Sequence, residues 1–320
     1  MPSSTLDDLL EAYGKVSAAN RTVLDGFALV AQQFRQQDIA FLLLKGADVI
    51  SRLYGVRGSR PLSDIDLLVH EVDLPAIDRL LTSLGFVQQI DGNPSYASSE
   101  LHHSLDLVTS LWYLDEHQLA DVWSRAIARP FPPITITCLS TEDLLIHLTA
   151  YAVVHRGQLS AAFSQDLRLL IEKESPDWPT IIAHARRYDL RVPLHHGLTH
   201  IRAVFPAVGI PDHVLSQLAP ENPREEVLSW LFRKLVTTEP LPDLGHLLLF
   251  LTLKRGMKRS WLARTLFPSA TFLTYRYGPA AARAPWNTRL ARLCHLVHAG
   301  LLLSVRLIRR LAATGAKGTS

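Results

Sequence analysis

The first 139 residues alternate short apolar runs with stretches of helical spacing, a pattern typical of a mixed α/β region. Apolar positions recur every three or four residues between residues 5 and 37, which predicts two helices. The run Phe41 to Leu44 predicts a buried strand, and a helix is expected from Ala47 to Tyr54. A second strand is expected from Asp64 to Val69, and further strands are predicted at 86–90 and 101–108.

From Ser140 onward the spacing of apolar residues becomes helical throughout. We therefore predict an α+β fold with a mixed sheet, and place a domain boundary between residues 139 and 140. Residues 1–139 would form the α/β domain with its N-terminal helices, and residues 140–320 an all-helical domain. Helices are predicted at 164–173, 178–189, 192–204, 224–236, 243–253 and 288–312.

Composition is that of an ordinary globular protein, with 48% hydrophobic and 20% charged residues among 320. The two cysteines lie far apart, so neither a disulfide framework nor a cysteine-rich zinc site is indicated. The N-terminus lacks the basic and apolar regions of a secretory signal, and a cytoplasmic protein is expected. The apolar run Leu293 to Val305 is shorter than a bilayer requires, so no transmembrane segment is expected.

Charge is distributed unevenly, because residues 244–320 contain 13 Lys or Arg and no Asp or Glu. This basic region would be attracted to phosphate-rich partners, to an anionic membrane surface or to the acidic remainder of the chain. The stretch Arg289 to Leu311 has a leucine-rich body with arginines near both ends. We expect it to pack in the core, with a position on an anionic membrane as the alternative.

Asp64 and Asp66 are the first candidates for chemistry. Side chains at i and i+2 of a strand point to the same face, so these carboxylates would project together while Ile65 and Leu67 enter the apolar face. Carboxylate oxygens are the ligands that Mg²⁺ prefers, and such a pair can bridge two ions in phosphoryl transfer. The alternative is a pair of solvated residues at the start of a strand.

Lys45 and Gly46 stand where the first strand meets a helix. Amide groups at a helix N-terminus after a glycine form a ready anion site, so a phosphate cradle and a metal platform would share one unit. Arg57 and Arg60, in the loop before the carboxylates, could neutralise a leaving pyrophosphate. Lys45 could instead lie in solvent, and the arginines could belong to a basic loop without a ligand.

The segment from Leu42 to Phe86, with its LKG and DIDLLV motifs, resembles an uncharacterised bacterial nucleotidyltransferase family of the DNA polymerase β-like superfamily. The resemblance is close over roughly 45 residues and weaker beyond. It implies a polymerase β-like core, with Asp106 as a third carboxylate that holds metal and helps to deprotonate the attacking hydroxyl. The commoner superfamily pattern has a Gly-Ser pair, whereas here Lys45 precedes Gly46 and Ala47 follows it.

The resemblance implies magnesium-dependent transfer of a nucleoside monophosphate, with pyrophosphate release. ATP is the expected donor, Mg²⁺ the expected cofactor with one or two ions, and Lys45 a point charge on the phosphates. The acceptor hydroxyl is open, with a peptide or a sugar foremost because relatives are associated with peptide and surface-sugar biosynthesis. The alternatives are a nucleotide- or partner-binding module without catalysis, and an enzyme that adds nucleotides to RNA.

Overall fold

A computed structural model describes residues 2–54, 58–90, 94–100, 103–283 and 285–316. Within these residues one mixed sheet has the strand order β3-β4-β5-β2-β1-β7-β6. The strands are β1 (Phe41–Leu44), β2 (Ile65–Val69), β3 (Val87–Gln89), β4 (Ser95–Ser98), β5 (His103–Val108), β6 (Ile127–Phe131) and β7 (Ile134–Cys138).

In the described part of the chain one helix precedes the first strand, three lie between strands, and the others follow the last strand. A 3₁₀ turn covers Glu71–Asp73 and a π-helix covers Tyr151–Arg156. The helices are α1 (Pro2–Gln36), α2 (Lys45–Leu53), α3 (Leu74–Ser83), α4 (Glu116–Ser124), α5 (Thr141–Ala150), α6 (Ala161–Glu174), α7 (Trp178–Arg187), α8 (Arg191–Val204), α9 (Asp212–Leu218), α10 (Pro223–Leu235), α11 (Leu244–Thr252), α12 (Arg255–Leu266), α13 (Ala270–Tyr277), α14 (Pro279–Arg283) and α15 (Pro285–Ala316).

The chain forms two compact units. The sheet unit comprises Met1–Ser140 and Thr271–Ala282, and the helical unit comprises Thr141–Ala270 and Arg283–Ser320. The predicted α+β class, with a mixed sheet followed by helices, is confirmed. Whether residues 1–139 and 140–320 are separate domains stays a prediction.

Strand register brings distant acidic residues to neighbouring positions. β2 pairs with β1 in antiparallel fashion, so Leu44 stands opposite Asp66. β2 pairs with β5 in parallel fashion, which sets Asp66 beside Asp106. Since neighbouring strands lie about 4.8 Å apart, side chains that share a face at this register come within reach of one another.

Helix α1 packs its second half on the sheet. Val23, Phe27, Val30 and Phe34 are buried in the core, and the rings of Phe27 and Phe41 meet edge to face with centroids 5.9 Å apart. The prediction of two helices here was wrong, because the stretch between the two apolar clusters contains no proline and the helix continues through it. α1 is therefore one continuous helix from Pro2 to Gln36.

The C-terminal helix α15 does not pack in a core, and that expectation was wrong. Of the most apolar 18-residue window in Pro285–Arg310, only 6% is buried. Its leucines repeat at the spacing of a core helix, but the described part of the helical unit covers only one side of them. By length and composition alone Pro285–Arg310 could cross a membrane, because helical residues continue on both sides of the 13-residue apolar run.

Candidate functional site

Three carboxylates converge at the middle of the sheet. Asp64 directly precedes β2, Asp66 lies within it and Asp106 lies on β5, and one oxygen of each falls within 4.8 Å of the other two. Ile65 and Leu67 enter the core on the opposite face, as the alternation predicted. The geometry thus gathers three acidic side chains from two adjacent parallel strands.

Lys45 reaches this cluster from the start of α2. Its Nζ donates a hydrogen bond to Asp66 Oδ1 over 2.6 Å, and its side chain is mostly buried. The Lys45 backbone has a φ of 46°, a left-handed conformation that a side chain with Cβ rarely adopts. Strained backbone of this kind persists where the surroundings impose it and is frequent at functional sites.

Serine hydroxyls hold two of the carboxylates in place. Ser95 Oγ on β4 donates to Asp106 Oδ1 over 2.6 Å, because Ser95 stands opposite Asp106 in the antiparallel β4–β5 pair. Ser63 Oγ donates to Asp64 Oδ1 over 2.7 Å. These bonds fix the two carboxylates on either side of Asp66 and leave oxygen lone pairs for other ligands.

The loop before β2 is held by α1. Asn20 is buried; its Nδ2 donates to the carbonyl of Arg60 over 2.7 Å, and its Oδ1 accepts from the amide of Leu62 over 2.9 Å. The Arg60 guanidinium lies against Gly46, where an added Cβ would meet Nη1 at 3.2 Å and Leu62 Cδ1 at 3.1 Å. Gly46 therefore allows Arg60 to approach the strand-to-helix junction closely.

The described nucleotide-binding candidates thus make two kinds of contact. Lys45 contacts the carboxylates and Gly46 contacts Arg60, whereas Arg57 lies outside the described residues. Asn20 and Ser95 were missed by sequence reasoning. No local pattern singled them out, because each acts on a residue that only the folded chain brings near.

Burial and like charge work together at Asp66. Desolvation raises the pKa of its carboxyl above the ordinary value, Lys45 opposes this, and the charges of Asp64 and Asp106 raise it further. Such crowding disfavours the ionised carboxylate unless positive charge is close. A bound cation would therefore stabilise the ionised carboxylates of this site.

The residues present fit a divalent metal ion. All three side chains offer carboxylate oxygens, the hard donors that Mg²⁺ selects, and Asp64 and Asp106 are only half-buried. Within the described residues, this is the group of acidic, histidine or cysteine side chains that could hold a metal. Asp48 does not belong to it, because it is a buried residue of α2 and pairs with Arg52 Nη2 over 3.1 Å.

The model of an uncharacterised nucleotidyltransferase family matches residues 1–206 of this chain, so the chain belongs to that family. The resemblance drawn from the LKG and DIDLLV motifs is thereby confirmed. A search of curated proteins gave no match. Among solved structures, an antigenic nucleotidyltransferase-like protein from Paracoccidioides brasiliensis is similar, with 15% identity, a TM-score of 0.40, and coverage of 62% of this chain and 93% of that one.

Proposed function

We propose that this chain transfers a nucleoside monophosphate from a nucleoside triphosphate to an acceptor hydroxyl. The observation that carries the proposal is the convergence of Asp64, Asp66 and Asp106 within 4.8 Å, in a chain of a nucleotidyltransferase family. In the reaction the acceptor oxygen attacks the α-phosphorus, the bond to the β-phosphate oxygen breaks, and pyrophosphate leaves. The hydroxyl proton passes to a carboxylate oxygen of Asp106.

The side chains would divide the work of positioning and neutralising charge. Asp64, Asp66 and Asp106 would hold one or two Mg²⁺ ions, which when bound polarise the phosphoryl oxygens. Lys45 would turn from Asp66 to the phosphates as a compact positive charge. Arg60, with Gly46 beside it, would orient and neutralise the pyrophosphate.

ATP is the proposed donor, and the reaction belongs in the cytoplasm, where triphosphates are abundant. A peptide or sugar hydroxyl is the proposed acceptor. The site residues define the donor half of the reaction, and family membership alone does not specify an acceptor. The acceptor panel in the experiment must therefore be broad.

Pyrophosphate release tests the proposal. Each of the four ribonucleoside triphosphates is incubated with Mg²⁺ and with peptide, sugar or RNA acceptors, and wild type is compared with Asp66→Asn. Release that requires both Asp66 and one acceptor class would support nucleotidyl transfer. Undiminished release by Asp66→Asn would overturn it, and tight ATP binding without release under every condition would favour a binding module.

A further inference from the structure

Helix α15 has two faces of different exposure. One face is half-buried on the helical unit and includes Leu296, Leu303 and Leu307. The other projects outward and carries an apolar stripe, one residue every three or four positions along the helix. This outward stripe consists of Trp286, Leu290, Leu293, Val297, Leu301, Val305 and Ile308, of which Trp286 is 71% exposed.

Arginines on the half-buried face tie α15 to other segments of the same unit. The bonds are Arg289 Nη2 to the Pro268 carbonyl (3.1 Å), Arg292 Nε to the Thr265 carbonyl (3.3 Å), Arg306 Nη1 to Asp243 Oδ2 (3.1 Å) and Arg310 Nη2 to the Glu239 carbonyl (3.2 Å). Both ends of the helix are thus attached to its own unit. α15 lies along that unit and keeps the outward stripe exposed.

These ties argue against a membrane-spanning position. Arg292 and Arg306 are separated by 13 residues, or about 20 Å of helix at 1.5 Å per residue. The hydrocarbon core of a bilayer is about 30 Å thick, so a spanning helix would draw at least one tied arginine into it. A helix lying in the plane of the membrane leaves all four bonds intact.

The charge of the C-terminal region and its exposed aromatic residues match an anionic lipid surface. Residues 244–320 hold 13 basic side chains and no acidic one, and Arg259, Arg264 and Arg309 are exposed. Trp286 on α15 and Phe267 at the end of α12 are exposed aromatics of the type that settles at the headgroup level. Arg289 links the two sites, because it stacks on Trp286 and bonds to Pro268.

We propose that the outward stripe of α15 binds the surface of an anionic lipid bilayer, with the helix in the membrane plane. The apolar stripe enters the boundary between headgroups and acyl chains, and exposed basic residues such as Arg309 of α15 meet lipid phosphates. A second copy of the chain fits the stripe less well, because it would bring together two copies of residues 244–320, which carry basic and no acidic side chains. The stripe shares no residue with the carboxylate cluster, and its test does not depend on the proposed reaction.

Vesicle co-sedimentation of the full-length protein tests the proposal. Phosphatidylcholine vesicles are compared with vesicles that contain phosphatidylglycerol as well. Wild type is expected to prefer the anionic vesicles by about 10-fold or more and to lose this preference in high salt, since each nearby Lys or Arg contributes about fivefold. The triple variant Leu290→Glu, Val297→Glu, Leu301→Glu should lower binding at least about 10-fold, because glutamates oppose insertion beside anionic lipid.

The matched control is Val227→Glu, an exposed valine on α10 of the same unit, which should bind like wild type. Circular dichroism should show that all variants keep the wild-type helix content, since the substituted side chains are exposed. Equal binding to neutral and anionic vesicles, or wild-type binding by the triple variant, would overturn the proposal. A wild-type dimer in sedimentation that the triple variant abolishes, without vesicle binding by wild type, would assign the stripe to a second copy instead.

Discussion

Folded proteins usually bury apolar groups and expose charged ones, and each compact unit has an exception. The sheet unit buries charge, and the helical unit exposes apolar side chains. The sheet unit draws a buried carboxylate, Asp66, together with Asp64 and Asp106, although burial and like charge both oppose ionisation. The helical unit does the reverse, because Trp286 and Leu290 of α15 stay in water. Both units also bury an apolar core, although Leu6, Leu9 and Leu10 at the start of α1 are exposed as well.

Each departure costs stability, and each would be relieved by a different ligand. A divalent cation would neutralise the carboxylates, and an apolar phase would cover the stripe. Because the two ligands differ in chemistry, we expect the two sites to respond to different substitutions. A charge change in the sheet unit should act on turnover, whereas an apolar change on α15 should act on membrane binding.

The largest expected effect belongs to Asp66→Asn. The amide keeps the size of the side chain but removes a charge that we propose holds metal, a contribution of several kcal/mol to transition-state stabilisation. Turnover, measured as pyrophosphate release, should fall by about 10³-fold or more. Thermal unfolding should change little, because the substitution also removes a crowded, desolvated charge.

Glu71→Gln provides the matched control for this substitution. Glu71 is exposed just after β2, so the same carboxylate-to-amide change occurs near the same strand but outside the cluster. Its turnover should equal that of wild type. Equal losses in the two variants would contradict a specific role for Asp66.

A fall in pH should change the free energy of unfolding through one buried group in each unit, and the two contributions have opposite sign. In the sheet unit, burial raises the pKa of Asp48 to about 6 despite the neighbouring Arg52, so protonation of this group favours the folded state as pH falls. In the helical unit, burial lowers the pKa of His196 to about 4, although its Nε2 lies 3.1 Å from the Val236 carbonyl. Stability from His196 is complete above its unfolded value of 6.5 and is lost as pH falls toward 4.

The histidine part of this contrast can be measured with His196→Gln. Between pH 7 and pH 5, His196 should account for a loss of about 2 kcal/mol in the free energy of unfolding. Urea unfolding of the variant should therefore show a smaller acid-induced loss than wild type. Exposed His213→Gln serves as the control, and identical pH dependence in wild type and His196→Gln would show that burial of this ring has no such effect.

Lys45→Met should separate metal binding from turnover. The ammonium occupies Asp66 Oδ1, an oxygen that a metal ion would use, so its removal should tighten binding of Mg²⁺ alone by about 10-fold. Turnover should nevertheless fall by about 10²-fold, because a positive charge on the phosphates is lost. Calorimetric titration with Mg²⁺ and pyrophosphate release give the two readouts. A lysine without a role at the site would leave both unchanged.

The sequence allowed the strands of the site to be predicted closely. The run Phe41 to Leu44 is bounded by Lys45 and Gly46, and β1 has those bounds. Two-residue alternation predicted that Asp64 and Asp66 share a face opposite Ile65. Asp106 was reached through the family resemblance alone, because a parallel pairing between residues 65–68 and 105–108 leaves no local pattern.

What could not be predicted depends on long-range packing. Ser95 meets Asp106 through the pairing of β4 with β5, and β4 itself was missed because its sequence lacks a clear alternation. The leucines of α15 repeat as a core helix does, and periodicity reveals an apolar face without revealing what covers it. Asn20 likewise could not be predicted, because the loop that it holds lies about 40 residues later in the chain.

Asn20→Ala should produce the smallest effect of the series and the one most specific to the fold of the site. It removes a donor to Arg60 and an acceptor for Leu62, and the loss of these two part-buried hydrogen bonds should cost about 1–3 kcal/mol. Because the loop then shifts relative to the carboxylates, turnover should fall by about 10-fold.

The control is Asn222→Ala, which removes the N-cap of α10. It should cost about 1 kcal/mol of stability and leave turnover unchanged. Similar turnover losses in both variants would mean that Asn20 acts through stability and not through the position of the loop.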